Sequence, residues 1–202
     1  MSRGRERDVV LISSLGRSPP VVTETVDALI ERGLRPRRVY VLTTSDSIVQ
    51  EKCIPLIREE FKINYPDVEL VVRSISRDDI YDEQDNEEFM LLVAEVLDRE
   101  VCRGSYISMC LAGGRKTMSA AMAILGWIYG ADEIIHVLVP PEIEKKGHVE
   151  ALLSLDPEER AKVLHPPNKR IIIFRMYYPI PTELTALQPQ ELIKRVASLA
   201  GR

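Results

Sequence analysis

The chain has 202 residues, of which 45% are hydrophobic and 29% charged, as is typical of one globular domain or of one domain with a small appendage. Its 27 Lys and Arg residues are outnumbered by 31 Asp and Glu residues, giving a net charge of -4. This balance argues against a general basic surface for long nucleic acid, although a single cleft can still be positive and bind a small anion.

The cysteines and the amino-terminal residues argue against a disulfide framework, a zinc site, a signal peptide and a membrane span. Cys53, Cys102 and Cys110 form no CxxC pair and accompany no histidine cluster, so we expect reduced thiols rather than a disulfide framework or a zinc site. Residues 1–7 are charged, and the apolar run after them is too short for a signal peptide or a membrane span. We therefore expect a soluble, cytoplasmic protein that binds no metal, no cofactor and no membrane.

Apolar segments with two alternating periods predict a succession of strands and helices. In chain order we predict a strand at 8–14, a helix at 19–32, a strand at 38–44, a helix at 46–61 with an irregularity at Pro55, a strand at 68–75, a polar loop at 76–85, a helix at 86–102, a strand at 106–112, a helix from 116 to about 130 and a strand at 133–139. Gly33 and Gly104 follow two of these helices, as glycine commonly does at a helix end.

Strands that are apolar along most of their length and alternate with helices predict a parallel sheet covered by helices on both faces. We therefore predict an α/β, Rossmann-like domain over residues 1–140. Beyond it we predict helical stretches at 142–153 and 156–164, a strand at 170–177 and a last helix at 188–200. Residues 141–202 are thus expected to form a small C-terminal α+β extension packed on the same domain.

In an open parallel sheet, ligands bind at the carboxyl ends of the strands, where helix N-termini present their N–H groups. Three predicted loops lie at that edge, at 13–18, 43–47 and 112–117, and all are rich in hydroxyl groups, glycine or positive charge. Neither a GxGxxG dinucleotide motif nor a GxxxxGK P-loop occurs in the chain.

The loop at 112–117 carries the clearest chemical signal. Gly113 and Gly114 allow close approach of a ligand to the backbone, and Arg115 and Lys116 place two cations where the helix dipole disfavours them. An anion bound there would offset that cost, so the pattern indicates an anion site. The alternative is a glycine turn with two solvated basic side chains.

The other two loops carry weaker signals. Ser14 and Ser18 flank Gly16 in a turn that either binds a ligand through its hydroxyl groups or only caps the next helix. Thr43 and Thr44 end a strand, where a helix cap is the favoured interpretation.

Several of these segments together resemble one known family. The residues are Ser13 to Pro19 (SSLGRSP), Val21 to Thr25 (VVTET), Leu42 to Thr44 (LTT), Ala112 to Met118 (AGGRKTM) and His136 to Val139 (HVLV). They look like the CARF domains of type III CRISPR systems, and the resemblance covers residues 8–140. It implies a Rossmann-like homodimer whose two-fold axis passes through a pocket for a cyclic oligoadenylate, usually the four-membered ring.

A CARF domain without an evident effector domain resembles the ring nucleases, which cut the messenger without a metal. In the reaction this implies, the ribose 2′-OH attacks the adjacent phosphate and leaves a 2′,3′-cyclic phosphate. The resemblance assigns catalysis to Ser14, Arg115 and Lys116. It assigns ligand binding to Leu15, Gly16, Arg17, Ser18, Thr43, Thr44, Gly113, Gly114, Thr117 and Met118. We add Lys146, which follows the fifth predicted strand but matches no family motif. Lys145 or Lys146 could also supply the general acid, although a solvated helix explains both residues.

Other interpretations are weighed against this one. The spacing Arg160-x4-His165 resembles a HEPN nuclease motif, but the prolines and the strand pattern that follow argue against a helical bundle. His136 lies within a predicted strand, which favours a core or interface histidine. The main alternative function is a non-catalytic cyclic-oligoadenylate sensor that regulates a partner protein, and a DNA-contacting regulator is a third.

Overall fold

The computed structural model describes residues 7–174. The strands are β1 (Val9–Ser14), β2 (Arg38–Thr43), β3 (Glu69–Ser74), β4 (Tyr106–Cys110), β5 (Glu133–Leu138) and β6 (Arg170–Phe174). The helices are α1 (Pro20–Glu31), α2 (Ile54–Asn64), α3 (Glu83–Cys102), α4 (Lys116–Ile128), α5 (Pro141–Glu144), α6 (Val149–Ser154) and α7 (Pro157–Leu164). The predicted helix at 188–200 and the end of the strand predicted at 170–177 lie outside the described residues.

The strands form one six-stranded sheet in the order β3-β2-β1-β4-β5-β6. The first five strands are parallel, and β6 pairs antiparallel with β5. The predicted α/β, Rossmann-like fold is confirmed, and the sheet is mixed because of its antiparallel edge strand. No helix within residues 7–174 is long and apolar enough to cross a membrane.

Helices cover both faces of the sheet and bury two separate apolar clusters. On one face, Phe89 and Leu97 of α3 and Met122 of α4 are fully buried against the sheet. On the other face, Leu29 of α1 and Ile57 of α2 are buried in the same way. Each fully buried side chain of this size stabilises the fold by roughly 1.5–3 kcal/mol, so both faces hold the sheet rigidly beneath the loops at its edge.

Local interactions move some boundaries away from the predicted ones. Helix α3 begins at Glu83 instead of residue 86, because the side chain of Asp82 accepts a hydrogen bond from the Asp85 N–H and caps the helix. The irregularity predicted at Pro55 is a π-helical turn over Val49–Cys53 immediately before α2. A proline has no N–H to donate into the preceding turn, so an α-helical hydrogen bond is missing at that point.

The single helix predicted at 142–153 is wrong, because two short helices occupy this region. Residues 145–148 separate α5 from α6, and the first residue of α6, Val149, donates its N–H to the carbonyl of Arg17 at 2.8 Å. A Cβ at Gly147 would lie 3.8 Å from Cγ of Pro20. The helix is therefore interrupted where this segment packs on the loop that follows β1.

Candidate functional site

A cavity of about 310 Å³ lies at the carboxyl edge of the sheet. Its lining comes from the segments that follow four adjacent strands: Leu15, Gly16 and Arg17 after β1, Thr44, Asp46 and Val49 after β2, Asp78 and Asp79 after β3, and Gly114, Arg115 and Met118 after β4. These strands are neighbours and run parallel, so their carboxyl ends meet at one edge. We call this cavity the edge pocket.

Glycines allow the loops after β1 and β4 to pack against each other. A Cβ at Gly113 would overlap the carbonyl oxygen of Ser14, and a Cβ at Gly16 would lie 3.1 Å from the Cα of Gly114. Gly114 has a φ of 80°, in the left-handed region that favours glycine. The buried hydroxyl of Ser14 donates to the carbonyl of Gly113 at 2.6 Å and joins the two loops.

A second pair of contacts fixes the loop after β1 to β2. The Leu15 N–H donates to the carbonyl of Leu42 at 2.9 Å. The buried Thr43 hydroxyl donates to the carbonyl of Leu15 at 2.8 Å. The floor of the edge pocket is thus tied to the sheet by backbone and hydroxyl hydrogen bonds, which gives its lining a defined geometry.

Both arginines of the edge pocket form ion pairs with pocket carboxylates. Arg17 Nη2 lies 2.6 Å from Asp46 Oδ2. Arg115 is bidentate on Asp79, with Nε donating to Oδ1 at 2.9 Å and Nη2 donating to Oδ2. The Arg115 guanidinium lowers the pKa of Asp79. Burial alone would raise the pKa of Asp46, but the hydrogen bonds from Arg17 and the Val49 N–H lower it overall.

The structure gathers most, but not all, of the predicted site residues around this pocket. Leu15, Gly16, Arg17, Thr44, Gly114, Arg115 and Met118 line it. Ser14, Thr43 and Gly113 are buried beneath it, and Ser18, Lys116 and Thr117 are exposed outside its lining. Lys146 is also exposed and lies outside the lining, with Nζ 3.9 Å from Glu159 Oε1.

Sequence reasoning missed the acidic side of the edge pocket. Asp46 lies at the start of the helix predicted at 46–61, and its carboxylate accepts a hydrogen bond from the Val49 N–H at 2.9 Å. Asp78 and Asp79 fell in a loop predicted only to be polar. The available signal was the position of that loop. It follows a strand of the same parallel sheet, and the carboxyl ends of parallel strands lie at one edge.

His165, part of the HEPN-like spacing, does not line this pocket and contacts residues of α1 and α2 instead. Its Nδ1 is 2.9 Å from Asp27 of α1, and its Nε2 is 3.0 Å from Glu60 of α2. It thereby links the end of α7 to both helices. Within residues 7–174, no group of three or more His, Cys, Asp or Glu side chains is arranged to hold a metal ion.

Comparisons with known proteins place these features in context. The family model of CRISPR-associated protein NE0113 matches residues 18–200. The CRISPR system ring nuclease SSO2081 of Saccharolobus solfataricus is 31% identical over 138 residues, which cover 66% of this chain and 73% of that protein. Enterococcus italicus Csm6, solved bound to cyclic hexa-2′-fluoro-hexa-dAMP, superposes with a TM-score of 0.57 at 16% identity. That match covers 85% of this chain but only 43% of the Csm6 chain, and it shows a common fold.

Proposed function

The chain belongs to the family of CRISPR-associated protein NE0113, as its resemblance to CARF-domain proteins predicts, and we propose that it binds a cyclic oligoadenylate and cleaves it. The substrate that we propose is cyclic tetra-adenylate. Its cleavage would switch off type III CRISPR signalling. The observation that carries the proposal is the edge pocket, where two arginines meet a glycine turn in a chain 31% identical to a ring nuclease.

The size of the edge pocket supports a site shared between two copies of the chain. Cavities of roughly 300–1,000 Å³ hold drug-sized ligands, and a ring of four nucleotides is much larger than such a ligand. One pocket of about 310 Å³ therefore accommodates only part of the ring. Two pockets related by a two-fold axis would match the symmetry of a four-membered ring and use each set of donors twice.

An exposed apolar surface on α4, β5 and β6 supports the same dimer. It consists of Ile124 and Trp127 on α4, Leu138 on β5, and Ile172 and Phe174 on β6, each 39–47% exposed. Helix α4 packs on the face of β5 that carries Ile134, since a Cβ at Gly126 would lie 3.2 Å from Ile134. Leu138 lies on the same face of β5. Ile172 and Phe174 pair with His136 and Ile134 in the β5–β6 register, so this side of the sheet continues the α4 surface. Large exposed apolar patches are typical of interaction sites.

The dimer has its own test. Trp127 is the only tryptophan of the chain, so burial of its exposed ring in a dimer should shift its fluorescence to shorter wavelength as protein concentration rises. Trp127→Glu should give a monomer by analytical ultracentrifugation and weaken binding of the ring. Ile63→Glu is the matched control, because Ile63 is a 66% exposed apolar residue on α2. A wild-type chain that stays monomeric at high concentration would contradict the shared site.

The proposed reaction is an intramolecular displacement at phosphorus. The ribose 2′-oxygen forms a bond to the adjacent phosphorus while the bond to the 5′-oxygen breaks, and the 5′-oxygen takes up a proton. Arg115 and Lys116, at the start of α4, would stabilise the charge that develops on the phosphoryl oxygens. Ser14 would act by holding the carbonyl of Gly113, and so would position the turn that receives the phosphate.

A non-catalytic sensor is the second candidate, and one observation favours it. Within the described residues, the lining of the edge pocket includes no lysine or histidine that could protonate the leaving oxygen. Asp79 has a lowered pKa, so its carboxylate is ionised at neutral pH and holds no proton to donate. Lys146 would have to leave its position near Glu159 to serve instead.

The deciding experiment is incubation of the purified chain with cyclic tri-, tetra- and hexa-adenylate in EDTA, followed by mass spectrometry and a binding assay. Linear products that end in a 2′,3′-cyclic phosphate would support the ring nuclease, and tight binding of an intact ring would support the sensor. Lys116→Ala should weaken binding and cleavage together, whereas Ser14→Ala should mainly slow cleavage. Lys162→Ala, on the exposed face of α7, is the control. Absence of binding to every ring would refute the proposal.

A further inference from the structure

The edge pocket carries more carboxylates than cationic groups, although the ligand proposed for it is a polyanion. Its lining contains two cationic side chains, Arg17 and Arg115, and three carboxylates, Asp46, Asp78 and Asp79. Two of the carboxylates are paired directly with the two arginines. A phosphate that approaches this pocket therefore meets guanidinium groups that already have anionic partners.

In each ion pair the arginine is the exposed partner and the aspartate the anchored one. The side chains of Arg17 and Arg115 are 48% and 68% exposed, whereas those of Asp46 and Asp79 are 17% and 21% exposed. The carboxylate of Asp46 also accepts the Val49 N–H at 2.9 Å, and that of Asp79 accepts the Ile80 N–H at 2.8 Å. Long, exposed arginine side chains can change rotamer, while the aspartates are held by the backbone.

We propose that these two aspartates compete with the phosphate groups of the ligand for Arg17 and Arg115, and so set how tightly the pocket holds its ligand. The inference rests on the proposed function, because it takes a ligand with phosphate groups as the competitor. A phosphate can bind an arginine fully only after the carboxylate has been displaced, and the carboxylate recaptures the arginine when the phosphate leaves. Discrimination by an opposing charge of this kind is a common device in specific sites.

The competition has a consequence for turnover in a ring nuclease. A linear product carries the same phosphate groups as the ring, so a pocket of unopposed arginines would retain it. Two fixed carboxylates favour release by recapturing the guanidinium groups. Removing a competing carboxylate should therefore tighten binding of both ring and product.

If the carboxylates assist phosphate binding instead of competing with it, the predicted change in Kd has the opposite sign. If Asp79 only orients Arg115 for phosphate, then Asp79→Asn should weaken binding, because the guanidinium loses its bidentate partner. The competition model predicts tighter binding from the same substitution. The sign of the change in Kd thus separates the two roles.

The test compares Asp79→Asn and Asp46→Asn with Asp78→Asn, a matched control that removes the same charge from the same lining. Asp78 forms no ion pair among the described residues, and its carboxylate accepts only from the Tyr81 hydroxyl, at 3.4 Å. Isothermal titration with cyclic tetra-adenylate should show that each test variant lowers Kd roughly two- to fivefold for each protomer that contacts the ring. Asp78→Asn should lower Kd by less. Equal effects of the test and control variants, or weaker binding in the test variants, would overturn the competition.

A double-mutant cycle then isolates the contact from the general loss of negative charge. In an Arg115→Ala background, Asp79→Asn should change Kd no more than Asp78→Asn does. An undiminished effect of Asp79→Asn in that background would overturn the proposal. Titration of the same variants with pyrophosphate, a probe without bases, separates this inference from the proposed function. If the ring fails to bind but pyrophosphate follows the predicted order, the ring nuclease proposal fails and the competition stands.

Discussion

Glu24 of α1 is a buried carboxylate whose replacement should stabilise the protein above neutral pH. Its side chain is 5% exposed, and within residues 7–174 it accepts no hydrogen bond. Burial raises its pKa from 4.5 to about 7, although Lys169 opposes this through its positive charge. The perturbation is Glu24→Gln, which keeps the shape and the helix propensity and removes the ionisation.

The size of the effect follows from the pKa difference. A group whose pKa is raised on folding keeps its full contribution to stability below the unfolded pKa and loses it as pH rises through the folded pKa. For Glu24 that window runs from 4.5 to about 7. At about 1.4 kcal/mol per unit of pH, ionisation of Glu24 costs the folded state roughly 3 kcal/mol at pH 8. Glu24→Gln should therefore gain up to that amount at pH 8 and almost nothing at pH 4.5.

Urea unfolding of wild type and variant at pH 4.5, 6, 7 and 8.5 measures this difference directly. Glu59→Gln is the control, because Glu59 is exposed on the neighbouring helix α2 and its change should stay below about 1 kcal/mol. A difference between Glu24→Gln and wild type that does not grow with pH would refute the reasoning. It would mean that the carboxylate is solvated or paired in the folded protein.

Two further predictions concern the pocket turn and the histidine contact. Gly113→Ala should displace the turn, since the added Cβ overlaps the Ser14 carbonyl. We expect ring binding to fall at least tenfold by titration while circular dichroism stays that of a folded chain, and unchanged binding would contradict the packing of the two loops. Burial opposes protonation of His165, but its hydrogen bonds to Asp27 and Glu60 raise its pKa overall. His165→Ala should therefore cost about 2 kcal/mol of unfolding free energy below pH 6.5, and less as pH rises above it; a loss that grows with pH would be contrary to this.

Much of the fold could be predicted because its signals are local. The strand at 38–44 and the helix ended by Gly33 are found within one or two residues of their predicted bounds. Apolar periodicity and glycine at positive φ depend on a few neighbouring residues. The break at residues 145–148 could not be predicted in this way, because it depends on a contact with Arg17, more than 100 residues earlier.

The same distinction between local signals and long-range contacts applies to the candidate site. The glycine turn at Gly113 and Gly114 and the cations beside it were evident from the chain, and the structure places Gly114 and Arg115 in the edge pocket. The partner of Arg115 was not evident, because Asp79 is 36 residues away. Nothing in the local pattern around Asp79 distinguishes it from any other acidic loop residue.

The sequence by itself therefore determined the class of fold, the positions of most elements and three of the loops that line the edge pocket. Only the tertiary structure decided that β6 pairs antiparallel with β5, that the Ser14 hydroxyl is buried under the pocket, and that both pocket arginines have carboxylate partners. The physical reason is that local conformation depends on near neighbours along the chain. The meeting of distant loops depends on the order of the strands, which long-range burial of both faces of the sheet selects.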